Sequence, residues 1–267
     1  MKKESLFKDL RSAFSGIVIP VALVISIVIF TFIMGNGANF QGGNHDNSPL
    51  PNNYLGIIYK GGFIVPILMT LLLTVITISI ERFLAIRSAS GRGSVTSFVR
   101  TVKGHLSTNQ IEKAVEECNR QKGSVANVVL SSLTKYSNVE KDETMNKEQK
   151  ILSIQKDIEE ATSLELPSLE QNLVVLATIS SVATLMGLLG TVIGMIKAFS
   201  ALANAGAPDS VALATGISEA LINTAFGIGT AALAIIFYNL YTTKIDKLTY
   251  SIDEAGFSIV QTFASNH

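Results

Sequence analysis

The chain has 267 residues, 48% of them hydrophobic and only 16% charged, where soluble domains carry about 25% charged residues. Lys plus Arg equals Asp plus Glu at 21 each, so net charge singles out no nucleic-acid partner and none is expected. One cysteine, Cys118, and three scattered histidines (His45, His105, His267) exclude a disulfide framework and a Cys/His metal site, and the chain lacks a phosphate-cradling glycine loop ahead of a Lys-Ser/Thr pair.

In chain order, residues 1–14 form a basic start (Lys2, Lys3, Lys8, Arg11). Residues 15–34 follow as an apolar run interrupted by Pro20 and Ser26. A basic start, an apolar run and the small residues GNGA also describe a signal peptide. The run is longer than the usual apolar core of one, and Asn36 fits a small-residue cleavage pattern poorly, so a retained membrane helix is expected. Residues 35–60 are rich in Gly, Asn and Pro and read as an irregular loop. Residues 61–80 (GGFIVPILMTLLLTVITISI) carry no charge and form a second span.

Residues 81–166 read as helical, because SVTSFVRTVKGHL, NQIEKAVEECNRQ and SVANVVLSSLTKYS place apolar residues at three- and four-residue spacings. Asn109 or Thr108 is the expected cap of the second of these helices, and Lys122-Gly123 the expected break after it. A longer amphipathic run then leads to residues 167–245, where Pro167 kinks the chain or starts a helix. This region holds two further spans, 173–196 and 211–241. Residues 246–267 read as an amphipathic C-terminal helix. About 20 apolar residues cross a ~30 Å hydrocarbon core, so all four segments are long enough.

The basic residues set an orientation. Four precede the first span, thirteen lie between positions 82 and 156, and Lys244 and Lys247 follow the last span. None lies between 35 and 59 or between 200 and 243. The positive-inside rule then places 1–14, 81–166 and 246–267 in the cytoplasm and the 35–60 loop in the periplasm. Lys60 and Lys197 fall at the outer ends of spans and read as lysines that snorkel to the interface, a gate charge at Lys197 being the alternative.

Glu219 is the only ionisable side chain, tyrosines aside, from 210 to 243. An acid at the centre of a membrane helix costs about 2.5–3.5 kcal/mol on insertion scales, and such residues mark ion or proton paths. Counted back from Tyr241, ~30 Å at ~1.5 Å per residue ends near residue 221, which leaves Glu219 at an interface. A helix projecting past the inner surface would sink it deeper. Around it, Ala214, Gly216, Ser218, Ala220, Ala225, Gly227 and Gly229 allow close helix approach, as do Gly187, Gly190 and Gly194 on the third span. Asn223, one turn from Glu219, is placed to hydrogen-bond its carboxyl.

The two blocks MGLLGTVIGMIKAF (186–199) and GISEALINTAFGIGTAALAIIFYN (216–239) together resemble the ExbB/TolQ/MotA proton-channel family, most nearly its ExbB and TolQ branches. The resemblance covers roughly residues 170–245. It departs from the family at Thr184, Thr215 and Leu233, where prolines are common, and at Ile193, where a Trp is. It implies that Thr191, Glu219 and Thr224 line a pore, in a homopentamer surrounding an ExbD- or TolR-like single-span partner; Asn223, by its own spacing, is placed to bond across helices or reach that pore. That partner supplies a proton-carrying aspartate, and proton flow powers a TonB- or TolA-like transducer reaching the outer membrane. The expected fold is an all-α membrane protein, four transmembrane helices with a helical cytoplasmic extension, assembled as a ring. The expected function is a proton channel or motor subunit of the inner membrane that energises outer-membrane, TonB-dependent transport. A TolQ-like envelope-integrity or gliding-type motor subunit and a non-conducting scaffold are the alternatives. No enzyme chemistry, cofactor or metal is expected.

Overall fold

The structure, a computed structural model, describes residues 14–203 and 209–266. The basic residues of the N-terminal arm and the tip of the loop after the third span lie outside the described residues. Among those described, every regular element is helical: α1 (Phe14–Val28, continued by a π-helical turn Ile29–Met34), α2 (Tyr54–Tyr59), α3 (Ile64–Ala89), α4 (Val95–Ser107), α5 (Ile111–Gln121), α6 (Ser124–Glu140), α7 (Lys147–Glu170), α8 (Leu173–Ala203) and α9 (Ser210–Asn266). Four helical stretches are long and apolar enough to cross a membrane: Gly16–Met34, Ile64–Ala89, Lys147–Ala203 and Ser210–Asn266. The chain is an all-α membrane protein.

The described residues form two compact units. One takes residues up to 80 together with 172–238, the other 81–171 together with 239–267. In the first unit, the segment after α1 is built, not irregular. Asn39 is buried and donates from Nδ2 to the carbonyls of Ile33 (2.8 Å) and Met34 (2.9 Å), satisfying acceptors that the end of the helix leaves open. Its own Oδ1 accepts from Asn53 Nδ2 at 3.0 Å, and Asn53 in turn caps α2 by accepting from the Gly56 N–H. Tyr59 stacks on Phe30 with ring centroids 4.6 Å apart, beside a cluster of Met34, Val65 and Met69 that Phe226 also touches. The loop reading of 35–60 missed this order because its signal lies in asparagine side chains, not in apolar periodicity. Lys60 is tied down as well: its Nζ donates to the Asp46 carbonyl at 3.0 Å and lies over the Phe40 ring.

The second unit follows its amphipathic pattern. Phe98, Val99, Val102 and Leu106 of α4, Ala114 and Cys118 of α5, and Val125, Val129, Leu133 and Tyr136 of α6 are buried. Ser94 caps α4, and Asn146 with Gln149 forms a capping box at the start of α7. Three expectations change here. Neither Asn109 nor Thr108 caps α5: Gln110 occupies that position without a side-chain bond, and Asn109 takes φ 55° in the turn before it. Pro167 sits inside α7, and the chain breaks instead at Gln171 and Asn172, where Asn172 adopts φ 64°. The C-terminal amphipathic stretch is not a separate element, since no breaker separates it from the last span and α9 runs unbroken over 57 residues. Its buried face (Leu248, Ile252, Ala255, Ile259, Phe263) brings Phe263 edge-on to Tyr136, centroids 4.9 Å apart.

Candidate functional site

The site lies within the first unit, along the seam between α8 and α9. Asp209 opens α9 by accepting from the N–H groups of Val211 and Ala212, both at 3.0 Å. Small residues then let the two backbones touch. A Cβ at Gly194 would stand 2.6 Å from the Ala220 nitrogen, and one at Gly216 would stand 2.7 Å from the Ala198 nitrogen. Contacts that short have no room for a methyl group, so glycine at these positions sets the helix separation.

Along this seam the polar side chains form a file. Thr191 of α8 and Thr224 of α9 hydrogen-bond to each other. Both also lie within reach of the Gly187 carbonyl, at 3.2 Å from Thr191 Oγ1 and 3.4 Å from Thr224 Oγ1. The hydroxyls therefore bridge the helices and satisfy a main-chain acceptor together. Asn223 is buried and donates from Nδ2 to the Gly61 carbonyl at 2.8 Å, not to the Glu219 carboxyl as its spacing suggested. The turn before α3 reaches it first. Its Oδ1 is buried without a partner. Thr230, two turns further along α9, is also buried with an unpartnered hydroxyl.

Glu219 is only 4% exposed, and both its carboxylate oxygens accept from Lys197 Nζ, at 2.7 and 2.8 Å. The lysine therefore turns toward the neighbouring helix, and the snorkelling reading is corrected. A buried charge is tolerated when it is paired and hydrogen-bonded, and Lys197 provides both. A third element closes the site. Gly62 adopts φ 77°, and a Cβ on it would stand 2.5 Å from Glu219 Oε1. The turn into α3 thus presses bare backbone against the carboxylate, which only glycine permits.

All four residues singled out from the sequence, Thr191, Glu219, Asn223 and Thr224, thus fall on one seam. The structure adds Lys197 and the Gly61-Gly62 turn. Lys197 had a faint signal, a lone cation at the end of the apolar run of α8, for which a gate charge is the alternative reading. The glycine turn had none, because its pairing with Glu219 spans most of the chain.

Long apolar helices packed through glycine and alanine thus carry an ion pair and two bridging hydroxyls on one seam. Residues 121–254, half of the chain, match the model of the MotA/TolQ/ExbB proton channel family, and the chain belongs to that family. It is 40% identical over 88 residues to the Tol-Pal system protein TolQ of Haemophilus influenzae, covering 33% of this chain and 39% of that protein. It is 35% identical over 86 residues to the biopolymer transport protein ExbB of Pseudomonas putida (32% and 26%). Against ExbB of Salmonella typhimurium it is 31% identical over 85 residues (32% and 35%). The chain spans well under half the length of these curated relatives.

Proposed function

We propose that this chain is the proton-conducting motor subunit of an inner-membrane complex that energises outer-membrane transport, in the manner of ExbB. The observation that carries the reading is the Lys197–Glu219 pair, its carboxylate buried between α8 and α9 and its ammonium half exposed. Ionisable groups on membrane helices persist where function needs them. Here they continue into a file of hydroxyl and amide groups that can relay hydrogen bonds: Asn223, with an open acceptor, then Thr191 and Thr224.

In this account Thr191, Glu219, Asn223 and Thr224 line the proton pathway of a homopentamer. An ExbD- or TolR-like single-span protein occupies its axis and supplies the proton-carrying aspartate, and a TonB- or TolA-like transducer takes up the work. Leu185, Leu188, Val192, Ile196 and Phe199 of α8 face outward from the protomer, where lipid or a neighbouring copy covers them. Both termini and residues 81–166 lie in the cytoplasm, and the built segment 35–60 lies in the periplasm. A TolQ-like role in envelope integrity is the second reading, favoured by the 40% identity to TolQ. Mechanism and site are the same in both, and only the load differs.

The test is replacement of Glu219. Gln is nearly isosteric but does not titrate, so Glu219→Gln should assemble yet abolish energised uptake, while Glu219→Asp keeps partial activity. Ile222→Val, a packing control on the same turn, should be close to silent. Full activity in Glu219→Gln would leave only a non-conducting scaffold.

A further inference from the structure

The second unit contains a recess of about 640 Å³ that the proton path does not use. It is lined by Arg87 at the end of α3 and by Lys244 and Lys247 of α9, with Ser90, Thr96 and Ser251 adding hydroxyls. Phe83, Ile86, Tyr241 and Leu248 form an apolar wall. The charge is of one sign: among the described residues no carboxylate forms an ion pair with Arg87, Lys244 or Lys247. Two other polar recesses among the described residues differ. One places Lys60 with Asp46, and another Lys135 with Asp157.

The recess is also preformed. Residues 90–93 are held by a hydrogen bond from the Arg92 N–H to the Gln121 carbonyl at 2.7 Å, and by one from Gln121 Nε2 to the Ser90 carbonyl at 3.0 Å. A Cβ on Gly91, at φ 71°, would stand 2.0 Å from the Lys122 carbonyl oxygen, so this loop has one way to pack. Its position along the chain indicates the ligand. Phe83 and Tyr241 lie at the ends of the second and fourth apolar segments, and the three cations follow within about two helical turns. Aromatic residues at a membrane surface with basic residues just beyond them match the depth of a phospholipid's ester and phosphate groups.

We infer that this recess binds a phosphate-bearing anion, supplied as the headgroup of an anionic phospholipid. Arg87, Lys244 and Lys247 would hold the phosphodiester, and Phe83, Ile86 and Tyr241 would lie against the glycerol and first acyl carbons. The inference does not depend on proton conduction by this chain.

The full-length chain, purified in detergent and titrated with phosphatidylglycerol or phosphatidylcholine, tests it by native mass spectrometry. Wild type should retain phosphatidylglycerol and not phosphatidylcholine. Lys244→Gln/Lys247→Gln should lower that retention about twentyfold at unchanged melting temperature. Lys113→Gln/Lys156→Gln removes the same charge from exposed sites elsewhere on the unit and should behave as wild type. Equal retention of the two lipids, or equal losses in the two double variants, would overturn the inference. Emptying of the site by millimolar inorganic phosphate would overturn the lipid assignment in favour of a soluble anion.

Discussion

Lys197 Nζ reaches both oxygens of the Glu219 carboxylate, at 2.7 and 2.8 Å, so the only carboxylate between residues 210 and 243 is held by the only ammonium of α8. The two side chains differ in surroundings, with Glu219 5% and Lys197 51% exposed within the protomer. Lys197 can therefore leave the pair at less cost than the carboxylate can. Such a pair holds Glu219 in place, and in the proposed complex an approaching charge on the partner would release it.

The pair should show coupling in a double-mutant cycle. Lys197→Met leaves a buried anion unpartnered and Glu219→Gln leaves the cation unpartnered. Lys197→Met/Glu219→Gln leaves neither and should recover stability lost by the single variants. After discounting for the exposure of Lys197, the coupling is expected at about 1–2 kcal/mol. Thermal unfolding of the purified protein in detergent measures it. Additive losses would mean that the two residues are not paired.

Gly62 should be intolerant of even a methyl group. Gly62→Ala imposes positive φ on an L-residue and drives Cβ into the Glu219 carboxylate, at a cost of about 1–3 kcal/mol. The expected phenotype is loss of energised uptake at near-normal helix content by circular dichroism. Uptake at the wild-type rate would show that the turn does not shape the site.

The α8–α9 seam predicts a contrast among glycines. Gly194→Ala places its Cβ against the Ala220 backbone, which has no rotamer to yield, and should destabilise by about 1–3 kcal/mol. Gly229→Ala, with nothing within 4 Å, should be neutral or gain about 0.5–1 kcal/mol from helix propensity. The same unfolding assay ranks them, and the reverse order would mean the helices do not meet along this seam.

Cys118 should be an inert thiol. Burial on α5 pushes its pKa up from 9.0 to about 12, with Glu117 adding to the shift, so at pH 7 the native protein holds about a thousandfold less thiolate than an exposed cysteine. Maleimide labelling should be slow in the native protein and fast in denaturant. With Cys118→Ser as background, a cysteine at position 44 should react from the periplasmic face and one at position 110 should not. The reverse would invert the orientation.

Much of this was readable in the chain because hydrophobic pattern and charge distribution act locally. The four apolar segments, the break at Lys122-Gly123 and the small-residue faces around Gly194 and Gly216 all follow from spacing along one helix. What pairs across the chain was not readable. Lys197 and Glu219 lie on different helices, and Asn223 spends its amide on the Gly61 carbonyl because a turn far away in sequence arrives there first. The asparagine network around Asn39 is local but equally hidden, since side-chain caps leave no periodic trace. The boundary between the last span and the tail was drawn from polarity, although a helix continues through a polarity change when neither Gly nor Pro interrupts it.

Proton flux settles the central claim most directly. The wild-type chain and the single-span protein proposed as its partner, reconstituted together in liposomes containing a pH-sensitive dye, should pass protons down an imposed gradient. The complex with Glu219→Gln should form at the same stoichiometry and pass none beyond the empty-liposome leak. Undiminished flux through that assembled variant would contradict a proton path through Glu219.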